Sequence, residues 1–183
     1  IEDAHVATIR QQASAATGVS PDAITVATIQ THSAPNTIRV WGWGEVDETY
    51  VNTIMLPGAL AALTAAWQSL VPARIGIGET PCDAGVNRRA IQPNHGIGLG
   101  QLPWGVYDPT LTVLRVVSAK GTLANLVHYG AHPTVLGSVS RVISRDWPGI
   151  MIDRMEQLTG APTLYFNLRR VNSPSLWGVL HAV

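Results

Sequence analysis

The stretch over residues 126–149, LVHYGAHPTVLGSVSRVISRDWPG, constrains the fold more than any other. It begins inside an apolar run, 123–129, that reads as a buried strand. The run breaks at Gly130 and presents His132 directly before Pro133. The proline ring crowds helical geometry at the preceding residue, so His132 is held extended and its imidazole leaves the strand end at a nearly fixed angle. A polar loop follows, and Arg145-Asp146-Trp147-Pro148-Gly149 leads into a helix. A His at a strand end and an Asp beside the next helix start have the geometry of a site. They also suit a histidine that only satisfies a loop.

The flanking segments fit an α/β domain. Residues 3–17 carry Val6, Ile9 and Ala13 at helical spacing, with Gly18 as a stop. Residues 24–29, ITVATI, are β-branched and predict a central strand. That strand runs into Gln30-Thr31-His32, so a second His follows a strand. Trp41 and Trp43 bracket Gly42, either flooring a hydrophobic pocket or anchoring a loop. Residues 46–70 predict the longest helix, kinked or divided at Pro57. A strand is expected over 74–78, then a long loop over 80–109 that holds Asn87-Arg88-Arg89 and His95. Strands over 111–117 and 123–129 are joined by the hairpin turn Ala119-Lys120-Gly121, and a helix over 148–158 leads to a last strand over 163–166. Strands alternating with helices predict a mixed β-sheet flanked by helices. The strands over 24–29, 111–117 and 123–129 are expected to share it, bringing His32 and His132 together at one edge.

Charge excludes some partners. Lys+Arg and Asp+Glu are both 12, which gives no electrostatic reason to expect nucleic acid or an anionic membrane. No uninterrupted apolar run approaches the ~18 residues of a spanning helix, so no transmembrane segment is expected. Cys82 is the one cysteine and forms no internal disulfide. Ile1 stands where an initiator Met would, and no signal peptide is visible, so the chain is expected to be processed or a piece of something longer. HExxH, CxxC and GxSxG motifs are absent, so local spacing alone indicates no metal or serine nucleophile.

Taken together and in order, several motifs resemble the catalytic domain of the neutral/alkaline non-lysosomal ceramidases. They are Thr31-His32-Ser33-Ala34-Pro35, the segment LVPARIG over 70–76, Asn87-Arg88-Arg89, Val113-Leu114-Arg115, GAHPTVLG over 130–137 and ISRDWPG over 143–149. The resemblance implies a partial ceramidase-like α/β domain over 1–167, incomplete at both ends, and a tail over 168–183 without clear resemblance. It implies a zinc-dependent amidohydrolase that cleaves the N-acyl bond of ceramide to sphingosine and fatty acid, with a small-molecule lipid amide as partner. The family is commonly secreted or extracytoplasmic, and the sequence itself leaves the compartment open.

In such enzymes one His of a His-x-His pair and the His of the His-Pro motif bind zinc, and a Glu and a Tyr further along complete the shell. The metal-bound water attacks the amide carbonyl. Carried over by position, His132 is a metal ligand and the other ligand position falls on Gln30, whose amide is a poor zinc ligand. His32 and Arg88 match residues that hold the substrate's polar head. Ser173-Pro174 survives of a later motif whose Gly-Asp pair is missing from LRRVNSP over 168–174, and Ser173 is carried over as a catalytic residue. No match to the distal Glu and Tyr is found, and Glu156 lies in a helix that does not fit them. Residues two apart on an extended segment sit ~6.5–7 Å apart, so His32 reaches the position of Gln30 only through a backbone shift. A non-catalytic or truncated remnant, and a related hydrolase of another amide, are the alternatives.

Overall fold

A computed structural model describes residues 1–94, 96–136, 140–167 and 180–182, the last three by backbone alone. The chain divides into two compact units, residues 1–28 with 34–72, and residues 29–33 with 73–183.

The first unit is helical. Helix α1, Asp3–Thr17, buries Ile9 and Ala13 and ends at Gly18, whose left-handed φ of 74° lets its N–H reach the Ser14 carbonyl. The second helical segment opens at Asp47, whose carboxylate caps the Tyr50 N–H at 2.9 Å. It runs as α2, Glu48–Tyr50, then a π-helical turn, Val51–Met55, then α3, Leu56–Gln68. Pro57 therefore does not divide it. The proline lacks an N–H and crowds the turn before it, and the wider π turn accommodates that crowding. Helix α1 packs on α3. The 21 residues of Glu48–Gln68 are long and apolar enough to cross a membrane by length and composition, so the expectation of no transmembrane segment does not stand as an exclusion.

The second unit holds two sheets. The larger has the order β1-β4-β5-β6, with β1 Arg74–Pro81, β4 Thr110–Ser118, β5 Gly121–His128 and β6 Thr163–Phe166. Strands β1, β4 and β5 are antiparallel, and β5 pairs with β6 in parallel. A parallel pair needs a crossover, and helix α4, Asp146–Thr159, supplies it. The β4–β5 hairpin turns through Ala119-Lys120, with Ser118 opposite Gly121. One face of the sheet carries Val113, Val127 and Tyr165 against Trp147, Met151, Ile152 and Met155 of α4. The other face leaves Ile75, Ile77 and Leu164 exposed.

The second sheet, all antiparallel, has the order β3-β2-β7, with β2 Gly85–Ile91, β3 Ile97–Leu102 and β7 Leu180–Ala182. Two expectations are corrected here. The stretch 80–109 is not a long loop. It contains the β2–β3 hairpin, whose glycines and polar residues mask the alternation that marks a strand. Residues 24–29 form no strand. Their β-branched side chains favour extended backbone, but β-propensity measures fit to a pleated neighbour, and among the described residues no strand pairs with them. The Ile29 carbonyl instead accepts the Asn167 side-chain amide at 3.3 Å. Gln30, at φ 59°, then breaks the extended run.

Candidate functional site

The site lies beyond the carboxyl ends of the parallel strands β5 and β6, where open α/β sheets collect ligands. The β5 strand leads into Tyr129, Gly130 and Ala131, all sequestered by the core or beside it. The Tyr165 hydroxyl, on β6, lies within donating distance of the Tyr129 carbonyl (2.6 Å) and the Ala131 carbonyl (2.9 Å). This pins the backbone immediately before His132. Pro133 is fully buried and His132 is 6% exposed, so the imidazole has little freedom.

His32 arrives from 100 residues upstream, and its Nε2 lies 3.0 Å from the His132 Nε2. The rings meet edge to face, with centroids 4.8 Å apart. The His32 N–H also donates to the Pro133 carbonyl at 3.4 Å. At 3.0 Å one nitrogen must donate and the other accept, so two imidazolium rings cannot face each other this way. The electrostatics agree. Burial holds His32 below its ordinary range, the Arg88 guanidinium adds to the effect, and Asp146 opposes it. His32 keeps an exposed surface, so solvent screens these charges.

Arg88 reaches the site opposite a bulge. The β2–β3 register shifts between Asn87 and Arg89, where the single residue Arg88 of β2 stands opposite two residues of β3, Gly100 and Gln101, so the extra residue of the bulge belongs to β3 and Arg88 sits across from it. Asn87 shapes the bulge by accepting the Arg89 N–H at 2.9 Å and donating to the Val106 carbonyl at 2.8 Å. One Arg88 terminal nitrogen donates to the Thr134 hydroxyl at 3.4 Å, and its buried Nε has no hydrogen-bond partner among the described residues. Tyr129 ties this strand to the histidine strand: its hydroxyl accepts the Gly85 N–H at 2.8 Å and donates to the Cys82 carbonyl at 2.9 Å.

The structure thus brings together His32, His132 and Arg88, and adds Thr134, which sequence reading missed. The signal was present in Pro133-Thr134, a hydroxyl beside the fixed proline. Gln30 is exposed and left-handed. Ser173 and His95 lie outside the described residues. Of the two tryptophans around Gly42, Trp41 is 99% exposed and Trp43 53% exposed, so neither is a buried pocket floor.

The donor set tests the zinc centre that the resemblance implies. Two nitrogens each about 2.0–2.1 Å from one tetrahedral zinc sit about 3.3–3.4 Å apart. The imidazole pair nearly matches two such corners. A catalytic zinc takes three protein ligands. Among the described residues no group of three or more His, Cys, Asp or Glu side chains is placed to hold a metal. These residues do not complete the centre, and no step through a metal follows from them.

Comparison with known proteins now bears on the fold. No protein-family profile and no curated protein sequence matches the chain. Solved structures do. A ceramidase complexed with C2 superposes with a TM-score of 0.63 at 20% identity, over 87% of this chain and 27% of that one. The neutral ceramidase from Pseudomonas aeruginosa gives 0.64 at 18% identity, over 94% of this chain and 31% of that one. The chain has the fold of part of a neutral ceramidase. It spans about three tenths of the length of these ceramidases. The mixed sheet with flanking helices expected from the sequence is the corresponding part of their architecture.

Acid should weaken this unit. His32 binds its proton less readily folded than unfolded, so the unfolded state takes up more protons as pH falls. The stability it contributes is complete above its ordinary pKa of about 6.5 and is lost as pH drops below that value. Urea midpoints measured between about pH 8 and pH 5 should fall on the acid side, and His32→Ala should flatten that limb. Equal slopes for both proteins would remove the assignment.

Proposed function

We propose that the chain is part of a ceramidase-type amidohydrolase that cleaves the N-acyl bond of a ceramide-like lipid to a sphingoid base and a fatty acid. Residues 1–167 carry the ceramidase-like part on this reading. The observation that carries it is the convergence of His32 and His132 beside an arginine whose buried Nε has no hydrogen-bond partner among the described residues. A guanidinium so placed holds an amide or hydroxyl oxygen, and a facing imidazole pair accepts and passes a proton. Zinc would supply the activated water in the complete centre. His132 would be this chain's share of that centre, with His32 beside it at the substrate's polar head.

A second reading, a non-catalytic remnant that keeps the fold and a polar lipid pocket, is favoured by the missing third donor among the described residues. Both readings expect the pocket to bind the amide. A charge-assisted hydrogen bond contributes about 1.5–3 kcal/mol, so Arg88→Ala should weaken binding of a fluorescent short-chain ceramide roughly 10- to 100-fold. The melting temperature should move little. A large loss of stability with unchanged binding would make Arg88 a structural residue and remove the carrying observation.

A further inference from the structure

We propose that Asp146, together with Ser144, is a positioning residue that sets the spacing of the His32–His132 pair. Its importance for function rests on the reading above, but the geometry stands apart from it. The Asp146 carboxylate is buried, and both its oxygens are used. Oδ1 accepts the Val135 N–H at 3.2 Å and the Trp147 N–H at 2.7 Å, and Oδ2 accepts the Leu136 N–H at 3.2 Å. Val135 and Leu136 are the residues that follow His132-Pro133-Thr134, so one carboxylate clamps the turn that carries His132.

Ser144 holds the other side. Its hydroxyl accepts the Asp146 N–H at 2.9 Å, and its own N–H donates to the Ser33 carbonyl at 2.8 Å. Ser33 is the residue after His32. A single short run, Ser144-Arg145-Asp146, therefore fastens the segments just beyond both histidines to the start of α4. Backbone strain marks the same place. Asp146, at φ 55°, and Gln30, at φ 59°, are the non-glycine residues with positive φ among the described residues. Asp tolerates the left-handed region, but it is held there only when its surroundings over-determine it. Three of the roughly four lone-pair directions of Asp146 are taken by backbone N–H groups, so besides its charge beside His32 it acts on the imidazoles through the turn that it holds.

The test compares Asp146→Asn, Asp146→Ala and Ser144→Ala with the unaltered chain at one pH near 7.5. The readouts are nitrogen-resolved imidazole spectra of His32 and His132 and thermal unfolding. The unaltered chain should show one Nε2 protonated and hydrogen-bonded, with its partner as acceptor. Asp146→Ala should lose that signature, giving two independent imidazoles. Asp146→Asn should rescue part of it, since the amide tolerates the left-handed conformation and keeps one acceptor. Ser144→Ala should also weaken it while leaving the fold intact. An unchanged pair signature in folded Asp146→Ala would overturn the proposal. If that variant does not fold, an unchanged signature in Ser144→Ala would do so. Failure of the unaltered chain to bind a short-chain ceramide would remove the functional reading and leave these spectra to decide the spacing on their own.

Discussion

Zinc added to this chain will be held weakly, and the zinc-treated chain will not turn over ceramide. Two imidazoles converge, but three protein ligands and an open position define a catalytic zinc, and no third side-chain donor is placed among the described residues. The hydrogen bond between the rings must also break before both nitrogens can face a metal. Affinity should fall further in acid, once the pH reaches the depressed range of His32, where protons compete for its lone pair. Calorimetric titration with zinc, beside a fluorescent ceramide assay, measures both. Either His32→Ala or His132→Ala should reduce the weak binding to that of scattered surface histidines. Tight one-to-one binding with clear turnover by the unaltered chain would show that the donor set is complete after all.

Tyr129→Ala should unfold the second unit outright. Tyr129 is 1% exposed, and its ring lies edge to face with Trp147 at a centroid distance of 6.2 Å. Removing a buried aromatic ring costs about 3–5 kcal/mol. The hydroxyl adds to this, because the buried Gly85 N–H loses its acceptor, at roughly 1–3 kcal/mol. Natural domains have a total stability of about 5–15 kcal/mol, so the sum takes most or all of it. Tyr129→Phe separates the two parts. It keeps the ring and should cost only about 1–3 kcal/mol, while loosening the tie between β5 and the strand that aims Arg88. Denaturant midpoints for the three proteins check this. Tyr129→Ala within about 1 kcal/mol of the unaltered chain would mean that the ring is not a core element.

What the sequence disclosed follows from which interactions are local. Helix α1 was legible because Ile9 and Ala13 recur at helical spacing and Gly18 ends the pattern. The β4–β5 hairpin was legible from two apolar runs around a tight turn. Helix α4 and β6 were legible from a proline at the helix start and a glycine at its end. Residues 24–29 misled because β-branched content reports extended backbone, while pairing depends on what lies alongside. The β2–β3 hairpin was hidden because its strands are rich in glycine, asparagine and arginine. Its bulge is set by Asn87 bonding its own backbone, which spacing does not reveal. The meeting of His32 with His132 was expected on a shared sheet, and the route differs. His32 gets there on a segment that belongs to no described strand, beyond the left-handed Gln30. The Ser144-Asp146 fastening was the hardest to foresee, since every one of its bonds ends on backbone whose position only the fold determines.

The 100-residue separation of His32 and His132 bears on the order of assembly. Closing a loop of that length costs chain entropy, and contacts between distant residues are gained late in folding. The β4–β5 hairpin and α4 rest on near-neighbour contacts and have no need of His32. The imidazole pair does need them, because the turn after β5 and the start of α4 hold both of its members. Pair formation should therefore come late in this unit, with the still more distant contact between Ile29 and Asn167. A signal from those two rings would report that the long-range contacts have formed, in a way that helix content alone does not.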